Sequence, residues 1–207
     1  MACTSGGLAG LRLLAGCGDG VHGTELDAGL DPDIDAPACA PTSADVLGPY
    51  YRAGAPSRMS IASLTEPGER FVLEGIVRGS DCTPLAGAVV DVWQADKDGT
   101  YYEPEGVEPY RLRGTLVSAS DGTWQLQTIR PGNYMLGTNA WRPAHIHVTV
   151  SHPGHATLTT QLYFQGDPFL PPNDACGSSC RSDDPARILK LTAGSTGSRS
   201  EIALVLA

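Results

Sequence analysis

From Gly48 to Ala207 no stretch longer than about ten residues keeps a 3.6-residue apolar period, so helices cannot account for most of this chain. Short runs rich in β-branched and aromatic residues stand in their place, at 71–77, 88–93, 110–117, 123–129, 144–150, 158–164, 187–192 and 201–206. Several of them alternate apolar with polar residues, the period-2 mark of a half-buried strand. Turn formers separate them: Gly79-Ser80-Asp81, Lys97-Asp98-Gly99, Ser120-Asp121-Gly122, Arg130-Pro131-Gly132-Asn133 and Pro153-Gly154. Many short strands with abrupt turns predict an all-β antiparallel β-sandwich over 46–207, with few or no helices.

At 207 residues the chain has room for one domain with its own core and an appendage. No run of eighteen apolar residues exists, so no helical segment is long enough to span a bilayer. The net charge of -9 argues against nucleic acid as a partner. That charge is unevenly spread: Asp19, Glu25, Asp27, Asp31, Asp33, Asp35 and Asp45, against the lone Arg12, put six of the nine negative charges before residue 49. The Gly-, Pro-, Ala- and Asp-rich stretch 18–45 has no apolar pattern and is expected to be a flexible linker. Before it, Leu13-Leu14-Ala15-Gly16-Cys17 matches a bacterial lipobox, although the apolar run is short and is interrupted by Arg12. Residues 1–17 are therefore expected to be a truncated lipoprotein signal, with Cys17 as a lipid anchor and the protein exported. Cys39, Cys82, Cys176 and Cys180 then remain for disulfides, in any of three pairings.

The chemistry concentrates between Pro131 and His147. His145 and His147 are two apart on an expected strand, so both imidazoles project from the same face, an arrangement suited to two nitrogen ligands on one metal. Alone, His-x-His is also what two ordinary strand histidines look like. A cupin-type site would need an acid a few positions on, and residues 148–153 contain none. A hydrolytic zinc site would need a third protein ligand and a carboxylate that the sequence does not place.

The frame Pro131-Gly132-Asn133-Tyr134 followed by Trp141-Arg142-Pro143-Ala144-His145-Ile146-His147 resembles the iron-binding region of the intradiol ring-cleavage dioxygenases. Further motifs follow the family order. Gly48-Pro49-Tyr50-Tyr51 resembles the motif that opens its domain, and 75–77 with 84–88 resembles its first hairpin. Val92-Trp93-Gln94 with Asp98-Gly99-Thr100-Tyr101 resembles its first tyrosine segment, and 160–167 follows the histidines. The likeness covers roughly residues 46–170. The chain departs from the larger catechol enzymes in lacking their N-terminal helical domain, and Cys82 takes a turn position where glycine is usual.

The resemblance implies Fe(III) held by Tyr101, Tyr134, His145 and His147. Tyr101 is preferred to its neighbour Tyr102 because Gly99-Thr100-Tyr101 supplies the family's Gly-x-Tyr. It further implies that Tyr101 and His145 stay bound in the equatorial plane while Tyr134 leaves when substrate arrives and takes one of its protons. His147 would lie opposite Tyr134. Arg142 would steady negative charge on the substrate, and Gln161 would be a donor close behind the histidines. Phenolate oxygen is a hard anionic donor suited to ferric iron, and imidazole is a good nitrogen ligand for it. The implied activity is O2-dependent cleavage of a catechol-type ring between its two hydroxylated carbons. A different class stays open at this point: 75–92 also resembles small extracellular prealbumin-like sandwich modules, under which the chain would be a tethered binding domain without catalysis. The sequence does not settle the oligomeric state.

Overall fold

The computed structural model describes residues 39–102 and 110–207. The lipobox with Cys17, and the part of the expected linker before Cys39, lie outside the described residues. Eleven strands are found: β1 (Arg70–Gly79), β2 (Val89–Gln94), β3 (Arg113–Val117), β4 (Thr123–Ile129), β5 (Tyr134–Gly137), β6 (Ala140–Arg142), β7 (His145–Ser151), β8 (Leu158–Phe164), β9 (Ile188–Leu189), β10 (Thr192–Ala193) and β11 (Ser198–Leu206). Among the described residues the only helical pieces are two three-residue 3-10 turns, Gly177–Ser179 and Pro185–Arg187.

The strands form a four-stranded sheet in the order β10-β11-β1-β4, a five-stranded sheet in the order β3-β2-β7-β8-β9, and a small β5-β6 hairpin. Pairing is antiparallel except for β1 with β11 and β8 with β9, which run parallel. The inner faces obey the alternation read from the sequence. Phe71, Leu73 and Val77 of β1, Leu126 of β4 and Leu204 of β11 meet Val90, Val92, Ile146, Val148, Val150, Leu162 and Phe164 of the other sheet in one buried cluster. Phe71 and Phe164 make an edge-on ring contact at 5.4 Å within that cluster.

Three expectations change. The run 187–192 is two short strands rather than one, and the β5-β6 hairpin falls where the sequence shows only a turn and a motif. Residues 39–45, expected in the flexible linker, are bonded into the sandwich: Cys39 N, Thr42 N and Asp45 N donate to the carbonyls of Ser80, Val205 and Thr159. Composition cannot show that one aspartate of an acidic run is a buried counter-charge. Asp45 pairs with Arg187, both side chains being 0% exposed, and also accepts a 2.8 Å hydrogen bond from Tyr163. The disulfides are Cys39–Cys82 and Cys176–Cys180. Cys82 sits at φ 68°, the left-handed region that explains why glycine suits that turn.

Removing one partner of a fully buried ion pair leaves the other charge uncompensated, which costs about 3–5 kcal/mol. Asp45→Ala is expected to lower unfolding free energy by about that amount, and Asp45→Asn by less, in urea titrations of the metal-free protein. A loss within about 0.5 kcal/mol, the range of ordinary surface changes, would mean that residues 39–45 are not anchored through this pair.

Candidate metal centre

Because Ile146, Val148 and Val150 point into the core, the intervening His145 and His147 project from the outer face of the five-stranded sheet. Register then builds the floor of the site. Trp93 pairs with His147 and Arg113, His147 pairs with Gln161, and His145 pairs with Tyr163. An outward face would ordinarily meet water. Here His145 and His147 are each only 2% exposed, because segments from elsewhere in the chain cover them.

One cover is the segment before β1. Gly48, at φ 74°, approaches so closely that a Cβ there would lie 3.1 Å from His147 Cε1. Tyr50 stacks on Tyr101 at 4.3 Å and 8°, and its carbonyl accepts from Arg113 Nη1 at 2.6 Å. A second cover is the loop after β2, which carries Tyr101. Gly99 in that loop, at φ 80°, lies against the turn before Tyr134, and a Cβ there would sit 2.0 Å from the Asn133 carbonyl oxygen. Any side chain at residue 99 would push the two tyrosine-bearing segments apart. The third cover is the β5-β6 hairpin, in which Tyr134 and Arg142 are cross-strand partners.

Tyr101, Tyr134, His145 and His147 come together. Tyr101 Oη lies 3.3 Å from His145 Nε2. Ring centroids are 5.7 Å apart for Tyr101 and Tyr134, 5.6 Å for Tyr134 and His145, and 4.8 Å for the two histidines. His145 Nδ1 lies 2.7 Å from the Pro143 carbonyl, so that nitrogen carries the proton and Nε2 keeps its lone pair toward Tyr101. His147 stacks on Trp93 at 4.8 Å and 8°, and its Nδ1 is buried without a hydrogen-bond partner. Tyr102 turns away: its hydroxyl donates to Asp96 Oδ2 at 2.8 Å, and Arg111 lies over its ring. Neighbours on an extended chain cannot both face the histidines.

Arg142 and His145 belong to different strand pairs, so the parity of an unbroken strand does not separate them. The Arg142 guanidinium, buried at 2% exposure, donates from Nη2 to Gln161 Oε1 and Tyr163 Oη, both at 3.0 Å, and bonds the Tyr134 phenol. Gln161 differs from expectation. It stands opposite His147, yet its amide oxygen goes to Arg142 and Tyr163, and its nitrogen to the Val46 carbonyl.

Burial, and after it the Arg142 charge, pushes His145 down to about 3, and burial with the charge of its neighbours drives His147 well down too. Burial also pushes the Tyr101 phenol up, with Tyr134 adding to it, and raises Tyr134 against the opposing pull of Arg142. Two neutral imidazoles and two phenols thus share a dry site. Among the described residues no cluster of three or more His, Cys, Asp or Glu could hold a metal, so any metal here relies on the phenols.

A family model described as "Dioxygenase" matches residues 46–201. The chain belongs to the intradiol dioxygenase family. It is 36% identical over 177 residues to a chlorocatechol 1,2-dioxygenase of Rhodococcus opacus, covering 74% of this chain and 68% of that protein. With a catechol 1,2-dioxygenase of a Pseudomonas species the identity is 33%, covering 70% and 54%. Among solved family structures, the dioxygenase domain of a dioxygenase–carbohydrate-binding fusion from Streptomyces sp. SirexAA-E superposes with a TM-score of 0.67. Its identity is 34%, and the match covers 81% of this chain and 98% of that one. The chain spans roughly half to two thirds of the length of the curated relatives it matches. Sequence reasoning gave no site role to Trp93, Tyr50, Tyr163, Asp45 or Asp174. The signal for Trp93, Tyr50 and Tyr163 was their place in the segments that resemble the family; Asp45 and Asp174 had none.

The lowered histidines carry a pH prediction for the metal-free protein. An unfolded histidine takes its proton near ~6.5, whereas folded His145 does so only at about 3. The stability that the neutral imidazoles contribute is therefore whole above pH ~6.5 and falls as pH drops through the window below it. The slope is about 1.4 kcal/mol per pH unit for each imidazole. Urea unfolding between pH 7.5 and 4.5 should show this, and His145→Gln should remove about half of it. A slope unchanged by His145→Gln would mean that His145 is protonated in the fold.

Proposed function

We propose that this protein is a non-haem Fe(III) dioxygenase. It cleaves a catechol-type ring between the two hydroxylated carbons, adding both atoms of O2 to give a muconate-type dicarboxylic acid. The observation that carries the reading is the convergence of two phenols and two imidazoles on one buried sheet face, with Arg142 bonded to Tyr134. In this reading Tyr101, Tyr134, His145 and His147 hold the metal. The donor set fits ferric iron: deprotonating two buried phenols creates negative charge that Arg142 alone does not balance, and a trivalent cation does. The His145 tautomer leaves Nε2 free to act as a ligand, and buried His147 Nδ1 lacks a partner. When bound, ferric iron would supply a Lewis acid that accepts electron density from a deprotonated catechol and makes its ring carbons open to attack by O2.

The chain's own residues then have distinct tasks. Tyr134 is less buried than Tyr101, and it would be the phenol that accepts a proton from the catechol. Arg142, next to it, opposes the burial that raises that oxygen's proton affinity, and faces the negative charge that grows on the substrate. Trp93 and Tyr50, stacked on His147 and Tyr101, hold those rings in orientation and keep water away. Gln161 fixes Arg142. A tethered binding module would have no use for this set of donors.

An extracytoplasmic location belongs to the same proposal, supported by the lipobox ending at Cys17 and by two disulfides among the described residues.

The iron-loaded protein is expected to be red and to consume O2 with catechols, which a panel of substituted catechols followed by ring-opening absorbance would measure. Tyr134→Phe should lose or shift the visible band and lower turnover about 100-fold or more. Tyr101→Phe should lose iron or fall by a similar factor. Tyr102→Phe should keep the colour and most of the rate, since its hydroxyl serves only Asp96. A colourless protein that leaves catechols intact would sink the reading. For location, Cys17→Ala should release the protein from the membrane fraction of the native host. A soluble cytoplasmic parent would remove the export claim.

A further inference from the structure

Arg142 is held at two different nitrogens. Nη2 is fixed by Gln161 and Tyr163, both on β8. At Nε it faces Asp174 in a buried ion pair, Oδ1 lying 2.9 Å away and the side chains being 3% and 1% exposed, although the N–H does not point at that oxygen as in a hydrogen bond. A guanidinium held only through Nη2 can swing about that point. The Asp174 charge at Nε limits that swing, and with it the range of directions in which the remaining N–H groups face Tyr134.

Asp174 is itself fixed by the loop that follows it. Oδ1 also accepts from Cys176 N at 2.9 Å, Oδ2 accepts from Ser182 Oγ, and the Asp174 carbonyl accepts from Gly177 N at 2.9 Å. The Cys176–Cys180 disulfide closes the Gly177–Ser179 turn. Beyond the turn, the Cys180 carbonyl accepts from Tyr163 Oη at 3.4 Å and Arg187 Nη2 at 3.2 Å. Ala175 N also donates to the carbonyl of Trp141, the residue before Arg142. The loop therefore grips both the backbone beside Arg142 and its side chain.

We propose that Asp174 is a positioning residue for Arg142, and that the disulfide-closed 176–180 loop is the clamp that holds Asp174 in register. What Arg142 does for the substrate rests on the dioxygenase reading; how it is held does not.

The test uses the whole chain and three variants: Asp174→Ala, Asp174→Asn and the double Cys176→Ala/Cys180→Ala. In iron-loaded protein, metal content and the visible band report the ligands. Anaerobic catechol titration, followed by the shift of that band, reports substrate affinity. Asp174→Ala should keep iron and band yet weaken catechol binding or kcat about tenfold to a hundredfold. Asp174→Asn, which can keep the hydrogen bond from Cys176 N but removes the charge facing Nε, should fall between the parent and Asp174→Ala. The cysteine variant should lose in the same direction, and adding Asp174→Ala to it should cost little more, because both act on one contact. If Asp174→Ala does not fold, the cysteine variant carries the test, and parent-like behaviour there overturns the clamp.

Parent affinity and rate in Asp174→Ala, iron loss as severe in Asn as in Ala, or strictly additive losses would each overturn the proposal. A parent without iron or ring-opening activity would defeat the dioxygenase reading instead. The contact is then tested in the metal-free protein by a double-mutant cycle of Asp174→Ala with Arg142→Met in urea unfolding. Clear coupling supports the proposal, and zero coupling overturns it.

Discussion

A guanidinium taken out of water must have its charge balanced, and among the described residues Arg113, Arg142 and Arg187 are buried, the last two joined through shared partners. Arg187 is 0% exposed and Arg142 2% exposed. Arg187 draws in Asp45 from the segment before β1, Asp184, and the carbonyls of Cys180 and Arg181. Arg142 draws in Asp174, Gln161, Tyr163 and Tyr134. Tyr163 joins the two groups, since its hydroxyl touches Asp45, Gln161 and Arg142. Segments far apart in the chain are thereby tied over one sheet face. Breaking either guanidinium's partnership would leave a buried charge uncompensated.

The other half of the site comes from pleat and register. Strand alternation sends Ile146 and Val148 inward and His145 and His147 outward, and antiparallel pairing lines them up with Trp93, Gln161 and Tyr163. Groups on neighbouring strands are held in place by the ladder, so the imidazoles keep their positions with little conformational freedom to lose. The tyrosines come from loops, and their positions depend on close backbone approaches such as Gly99 against Asn133.

The sequence by itself determined the longer strands of both sheets, though not that 187–192 splits between them, because period-2 apolar alternation has one physical outcome when a single face is buried. Parity allowed only one of the adjacent tyrosines to turn inward, and the Gly-x-Tyr of the family that the chain resembles selected Tyr101, which lies with His145. The sequence picked out the two histidines by the same parity. Only the tertiary structure decided the rest. That Asp45 belongs to the domain, that Gln161 serves Arg142, and that Asp174 reaches across to the same guanidinium are pairings between residues far apart in the chain. Composition and periodicity report a residue's local geometry. A buried charge's partner is set by which distant segment packs over it, and that is fixed only once both sheets and their covering loops have come together.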